Sequence, residues 1–381
     1  MRHIVIILFF LGIFMTGNMP AQEKRNIPAL DNPMSVRYLR KNLRKSHPRL
    51  VLNPSIENNL KKKLKTDPVV KNVYEAIRLN AREIMDKPFL ERIKEGRRLL
   101  AVSREMLYRV NMLGMVYRIE KDPGWVSGTN NWNQVCNGGM IAASIAIAEK
   151  DPDLAAKTIK RALDGIPHAL SSYLPDGVYP EGSTYWDYGT GFSVITAAIL
   201  ESAFGTDFGH TRHEAYMASA MFRVICNAPS GLYYNFADCG DRRERRFDDV
   251  LAWFASKTGN KAFFEKERML QSPEELGKLS RLGGAALVWI SQYREKANVD
   301  APSVWYGRGQ NPIAVFTGEN GYYFGGKGGR ATTSHGNMDA GSFIFELDGV
   351  RWVIDPGNQG YHTLEQTGCL KFKNSIQCLY L

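Results

Sequence analysis

The sequence predicts a mainly α chain whose helices form an α/α toroid or a helical solenoid, followed by an incomplete antiparallel β-sandwich. Three observations predict it. An apolar period of 3.6 residues dominates from Pro54 to Lys296, with scarcely any strand-like alternation. Near Asn298 the pattern switches to short β-rich runs separated by Gly-rich or charged turns. No fixed repeat runs through the helical part, which sets a toroid ahead of a true repeat array.

Taken in order, the chain opens with Met1-Arg2-His3 and the apolar run Ile4–Met15, then small and polar residues through Ala21. A basic start, about a dozen apolar residues and a small residue before a polar stretch describe a secretory signal peptide over residues 1–21. The run is shorter than the roughly 20 residues a spanning helix needs. No later stretch is longer and as apolar, so no stable membrane insertion is expected and the chain is read as exported, periplasmic or extracellular. An irregular lead-in with Pro28, Pro33 and Pro48 precedes the helical domain, 22–297. Helices are predicted over Ser55–Thr66, Pro68–Met85, Lys94–Glu120, Val135–Glu149, Asp153–Leu174, Ser193–Gly205, His213–Ala228, Phe247–Gly259 and Leu282–Tyr293. Pro123, Gly165-Ile166-Pro167 and Pro175-Asp176-Gly177 read as stops or turns. Strands are predicted at Trp305-Tyr306, Ile313–Thr317, Tyr322–Gly325, Ser342–Leu347 and Arg351–Ile354. A sandwich needs a second sheet over its apolar face. Residues 298–381 are therefore expected to be the N-terminal part of such a domain, cut short.

The formal charge is +10 and 44% of residues are hydrophobic, a normal fraction for a folded protein. A basic exported protein concentrates anionic partners around itself. No helix-turn-helix, finger or aromatic-basic platform is present, so nucleic acid is excluded and acidic polysaccharide preferred. Oligomeric state is left open. The five cysteines (Cys136, Cys226, Cys239, Cys369 and Cys378) have no CxxC spacing, which excludes a zinc ribbon. Their odd count leaves at least one free thiol, and the first three read as buried.

Three segments are unusually rich in polar and aromatic residues. Thr129–Gly139 carries five side-chain amides, Asn130, Asn131, Asn133, Gln134 and Asn137, together with Trp132, and Asn131 or Asn133 could simply cap a helix. Amides at a helix N-terminus suit a carboxylate, whereas a cap alone would explain one Asn. Asp176–Thr190 holds Tyr179, Tyr185, Trp186 and Tyr188 in a Gly-punctuated stretch read as a loop-to-helix junction. Its rings could stack on sugars, and a Tyr hydroxyl there could serve as a base. Ser334–Phe343 places His335 just ahead of a strand. A fourth stretch, Tyr233–Arg246, mixes aromatics, acids and four arginines, with Tyr234 and Arg242 the candidate ligand contacts.

Together, Asn131–Asn137, Glu181–Gly189 and His335–Phe343, followed by Gly349–Trp352 and Asp355-Pro356-Gly357, resemble the heparinase II/III-like polysaccharide lyases over nearly the whole mature chain. The resemblance implies an α/α toroid followed by an antiparallel β-sandwich, with the active site between them. It implies β-elimination on uronate-containing polysaccharide, heparin- or heparan-sulfate-like or alginate-like. Donors neutralise the uronate carboxylate so that its C5 proton can be removed, and a Tyr or His protonates the leaving oxygen. By the same resemblance Asn133 and Gln134 face the carboxylate, Tyr188 is the base with Tyr185 as runner-up, and His335 reaches in from the β-domain. Trp132, Asn137, Tyr185, Trp186, Tyr234 and Arg242 are expected to bind substrate. Gln134 departs from the family's common His and cannot shuttle a proton. Asp355 and Asn337 occupy zinc-ligand positions, but Asn337 replaces a His and only His362 could substitute for another. No cofactor is expected to be required, and a structural zinc is the less favoured reading.

Two other classes stay open. A toroid glycoside hydrolase would recruit carboxylates such as Glu181, Asp187 and Asp238. A non-catalytic remnant would only bind glycans.

Overall fold

The computed structural model describes residues 27–85, 94–95, 98–99, 125–241, 246–297, 299–329 and 339–358. The signal-peptide residues, His335, Asn337, Arg242, His362, Cys369 and Cys378 lie outside them.

The helices start where polar side chains can take up unpaired backbone N–H groups. Ser35 caps α1 (Val36–Asn42), and Asn53 caps α2 (Pro54–Thr66) with Pro54 in the first turn. α3 (Pro68–Met85) follows at once. A two-residue antiparallel ladder, β1 (Lys94–Glu95) with β2 (Arg98–Leu99), stands where a helix is expected to begin; residues 100–120 of that expected helix lie outside the described residues. Asn130 caps α4 (Asn131–Ile147), and Asp151 with Pro152 opens α5 (Pro152–Leu170). The expected stop at Gly165-Ile166-Pro167 does not occur. α5 runs through Pro167 because burial of Leu163, Ile166 and Leu170 outweighs the one backbone bond that Pro removes.

α6 (Gly182–Phe204) begins about three turns before the predicted Ser193, so the Gly182–Thr190 part of the aromatic junction is itself helical. Its pattern is hard to read because it is buried on several sides and lacks a clean apolar stripe. Gly205, at φ +77°, ends it. α7 (Glu214–Ile225) and α8 (Asp249–Thr258, capped by Asp248) follow. The short helices α9 (Lys266–Met269) and α10 (Pro273–Leu276) then lead to α11 (Gly283–Gln292). A single apolar core joins these helices, with Trp186, Tyr216, Trp253 and Phe254 at its centre. Cys136, Cys226 and Cys239 are free thiols within it, as expected. No described helix is long and apolar enough to cross a membrane.

The C-terminal part is a five-stranded antiparallel meander, β3 (Val304–Gly307), β4 (Ile313–Thr317), β5 (Tyr323–Lys327), β6 (Phe343–Leu347) and β7 (Val350–Val353). Alternation sends Ile313, Val315, Tyr323 and Ile344 to a face packed on the helices. Polar groups tie this face down. The Tyr323 hydroxyl donates to Ile225 O (2.7 Å), Glu346 takes Arg351 (2.7 Å) and the Ser230 hydroxyl (2.7 Å), and buried Lys327 pairs with Asp339. The chain is thus mainly helical with a separate antiparallel sheet.

Candidate functional site

The loop before α6 and the first turns of α4 and α6 are locked together. Asn131 donates to the buried Glu181 carboxylate at the start of α6 (2.8 Å). Gly189 lets the helices touch: a Cβ there would strike Gln134 Oε1 and lie 2.7 Å from the Tyr179 hydroxyl. The β3–β4 connection closes the same end, Arg308 N donating to Asp176 Oδ2 (2.8 Å) and Asn311 Nδ2 to Pro180 O (2.5 Å).

Most of the amides expected to clamp a carboxylate are structural instead. Asn133 is fully buried; its Nδ2 donates to Val126 O (2.8 Å) and Gly165 O (2.9 Å), and its Oδ1 accepts from Asn137 (3.0 Å). Gln134 Nε2 donates to the Tyr173 hydroxyl (2.8 Å) and to Ser193 Oγ (2.9 Å). An amide nitrogen has two donors, and both are used in each residue. Asn137 is equally enclosed. Trp186 is a core residue whose Nε1 donates to Ser219 Oγ (2.9 Å) while its ring stacks on Phe254. Tyr234 is buried beneath Gly325, where a Cβ would come within 3.1 Å of its ring, and burial raises its hydroxyl far above the ordinary range. These residues cannot meet a glycan in this arrangement.

Three expected contacts do face outward. Trp132 is exposed on the first turn of α4. Tyr185 and Tyr188, three residues apart on α6, are half-buried and meet edge to face at 6.5 Å. The Arg281 guanidinium, in the turn before α11, lies 5.0 Å from the Tyr188 ring and 5.5 Å from Phe192. Sequence reasoning missed Arg281, an isolated cation in a short turn with no motif around it.

Behind this stripe lies a second group it missed. One carboxylate oxygen from each of Asp187, Asp248 and Asp249 lies within 4.8 Å of the others. Arg223 donates to Asp248 (2.7 Å) and Arg246 to Asp249 (3.3 Å), while Ser280 also bonds Asp249. Burial alone would raise Asp248, but the Arg223 guanidinium brings it below the ordinary carboxylate range. Burial and the neighbouring carboxylates raise Asp187 and push Asp249 up to about 7. In sequence Asp248-Asp249 reads only as a helix start, and Asp248 does also cap α8.

No protein-family model matches this chain. Nor does any curated protein match it. The geometry must therefore carry the functional reading.

The zinc positions fit poorly. Asp355 Oδ2 is buried without a hydrogen-bond partner, as a ligand atom would be. Its neighbour Asp339 is already neutralised by Lys327 and accepts Ala237 N (2.7 Å), which holds Ala237 at φ +58°. Among the described residues no group of three His, Cys, Asp or Glu ligands gathers at Asp355. The all-oxygen aspartate trio is not a zinc set either, and guanidinium groups already balance it.

Proposed function

We propose that the chain is an exported polysaccharide lyase of the heparinase II/III-like type, with an α/α-toroid lyase domain, cleaving uronate-containing acidic polysaccharide at the Tyr188 face of α6. The observation that carries this reading is the half-buried Tyr185–Tyr188 pair with the Arg281 guanidinium 5.0 Å from the Tyr188 ring, on a stripe open to solvent. Arg281 takes the carboxylate-neutralising role expected of Asn133 and Gln134. With that charge balanced, the Tyr188 oxygen removes the C5 proton and the C4–O bond breaks. The electron pair of the C5–H bond becomes the C4=C5 double bond, and the leaving oxygen takes up a proton. His335, in the connection between Lys327 and Asp339, is the proposed second proton carrier. The net charge of +10 draws anionic polymer to the protein. No cofactor takes part.

Hydrolysis is the second reading, because Asp249 is raised to about 7 beside an ionised Asp248, a pattern of divided acid and base roles. Their partners argue against it, since Asp248 and Asp249 are buried and already paired with Arg223 and Arg246. A panel of heparin, heparan sulfate and alginate decides the matter. Elimination yields ultraviolet absorbance from the conjugated double bond, and reducing ends released without that absorbance would replace the lyase reading with hydrolysis.

A further inference from the structure

Arg281 stands in no helix. It is exposed on the turn between α10 and α11. A free arginine samples many rotamers, worth roughly 2 kcal/mol of side-chain entropy, so its place beside Tyr188 needs a cause. The turn supplies one. The Ser280 hydroxyl donates to Asp249 at the start of α8, and the same oxygen accepts Leu282 N (2.9 Å), so both residues flanking Arg281 are tied to α8. Upstream, Asn80 of α3 donates to Gly277 O (2.9 Å) and accepts from Leu279 N (2.9 Å). From the other side comes α6, whose Gly191 lies one turn beyond Tyr188. A Cβ at Gly191 would sit 3.3 Å from Leu282 Cδ1, 3.4 Å from Val250 Cγ2 and 3.6 Å from Arg281 Nη2. Thus α6, α8 and the turn meet at one point, with the guanidinium 5.0 Å from the Tyr188 ring and 5.5 Å from Phe192.

We infer that Asp249 and Ser280 are positioning residues for the proposed elimination: the bond between them fixes the turn that holds the Arg281 guanidinium beside the Tyr188 ring. The inference rests on the lyase reading, in which Arg281 balances the uronate carboxylate. The clasp also explains why a second acid is buried at the start of α8. Asp249 is 2% exposed, with one carboxylate oxygen within 4.8 Å of those of Asp187 and Asp248. Crowding like charges in a buried place costs free energy, and the helix start does not require it. Asp248 already caps α8, accepting from Leu251 N (3.0 Å). Arg246 donates to Asp249 (3.3 Å) and offsets part of its charge. What the second carboxylate adds is its grip on Ser280. A hydrogen bond to a charged acceptor is roughly twice as strong as one to a neutral group, which holds the turn against the pull of a charged polymer. Displacing a group that meets the substrate by about 1 Å can cost about 100-fold in rate. The clasp therefore acts on the chemistry without touching the substrate.

Ser280→Ala in the full chain tests the inference, since it leaves the Arg246–Asp249 pair in place. In the ultraviolet assay on an acidic polysaccharide, kcat should fall about 10- to 100-fold while KM changes by less than about 3-fold, the lost interaction being one of the transition state. Ser280→Thr keeps the hydroxyl and should restore most of the rate. In an Arg281→Met background Ser280→Ala should cost nothing further, because the clasp acts only through the guanidinium. Nitrogen-15 relaxation at Arg281 Nε reads the same contact without substrate, and its order parameter should drop in Ser280→Ala and in Asp249→Ala. An unchanged kcat or an unchanged order parameter in folded Ser280→Ala overturns the inference. So does a loss of rate that is as large in the Arg281→Met background. A parent chain that forms no double bond removes the lyase reading instead, and the order parameter then decides whether the clasp holds Arg281.

Discussion

Among the individual residues, Tyr188 and Asn133 separate chemistry from architecture. Tyr188→Phe removes the hydroxyl of a half-buried ring and leaves the ring contacts with Tyr185, Phe192 and Arg281 in place. It should abolish double-bond formation on an acidic polysaccharide at unchanged far-ultraviolet circular dichroism, and activity retained by the folded variant would remove Tyr188 from the mechanism. Arg281→Met should lower kcat/KM by about 100-fold or more if the guanidinium balances the uronate carboxylate, read in the same absorbance assay. Asn133→Ala does the opposite. It strips donors from the carbonyls of Val126 and Gly165 and should cost about 1–3 kcal/mol in urea unfolding. The amide-rich motif was legible as special, but a single sequence does not distinguish an amide that grips a ligand from one that ties helices together. Only the positions of Gly165 and Ser193, each about 30 to 60 residues along the chain, decide it.

The helical period located most elements, and its failures have a common cause. α6 has no clean stripe because it passes through the interior, and α5 ignores Pro167 because neighbours on several sides hold it. Tertiary contacts override local signals where burial is densest. The turn between α6 and α7 brings its own pH dependence. His210 and His213 are buried with Nε2 unpartnered, near Asp207 and Arg212. Burial lowers both, His213 to about 4. The unfolded chain keeps an ordinary value near 6.5 and binds more protons between about pH 6.5 and 4. Stability is therefore full above about pH 6.5 and lost as pH falls toward 4, by on the order of 1–2 kcal/mol for His213. Urea midpoints at about pH 7 and pH 4.5 measure this, and His213→Asn should shrink the difference.

At the scale of the molecule, the mainly helical chain with a terminal sheet was readable because the two periods differ so plainly. How the parts join was not, since docking rests on pairs more than 100 residues apart, such as Ser230 with Glu346 and Asn235 with Asp355. Glu346→Gln leaves Arg351 buried with its charge uncompensated and should destabilise by about 3–5 kcal/mol. Limited proteolysis should then cut near residue 300 before the helical part unfolds. The buried thiols give the same molecule an internal clock. Cys136, Cys226 and Cys239 are sealed in the helical core, where burial raises the latter two. An alkylating reagent can reach them only when that core opens, so their rate of modification times the opening of the helical part. In an oxidising compartment the same rule makes speed of folding the safeguard against mispaired cysteines: once the core has closed, the oxidant finds no sulfur there to take.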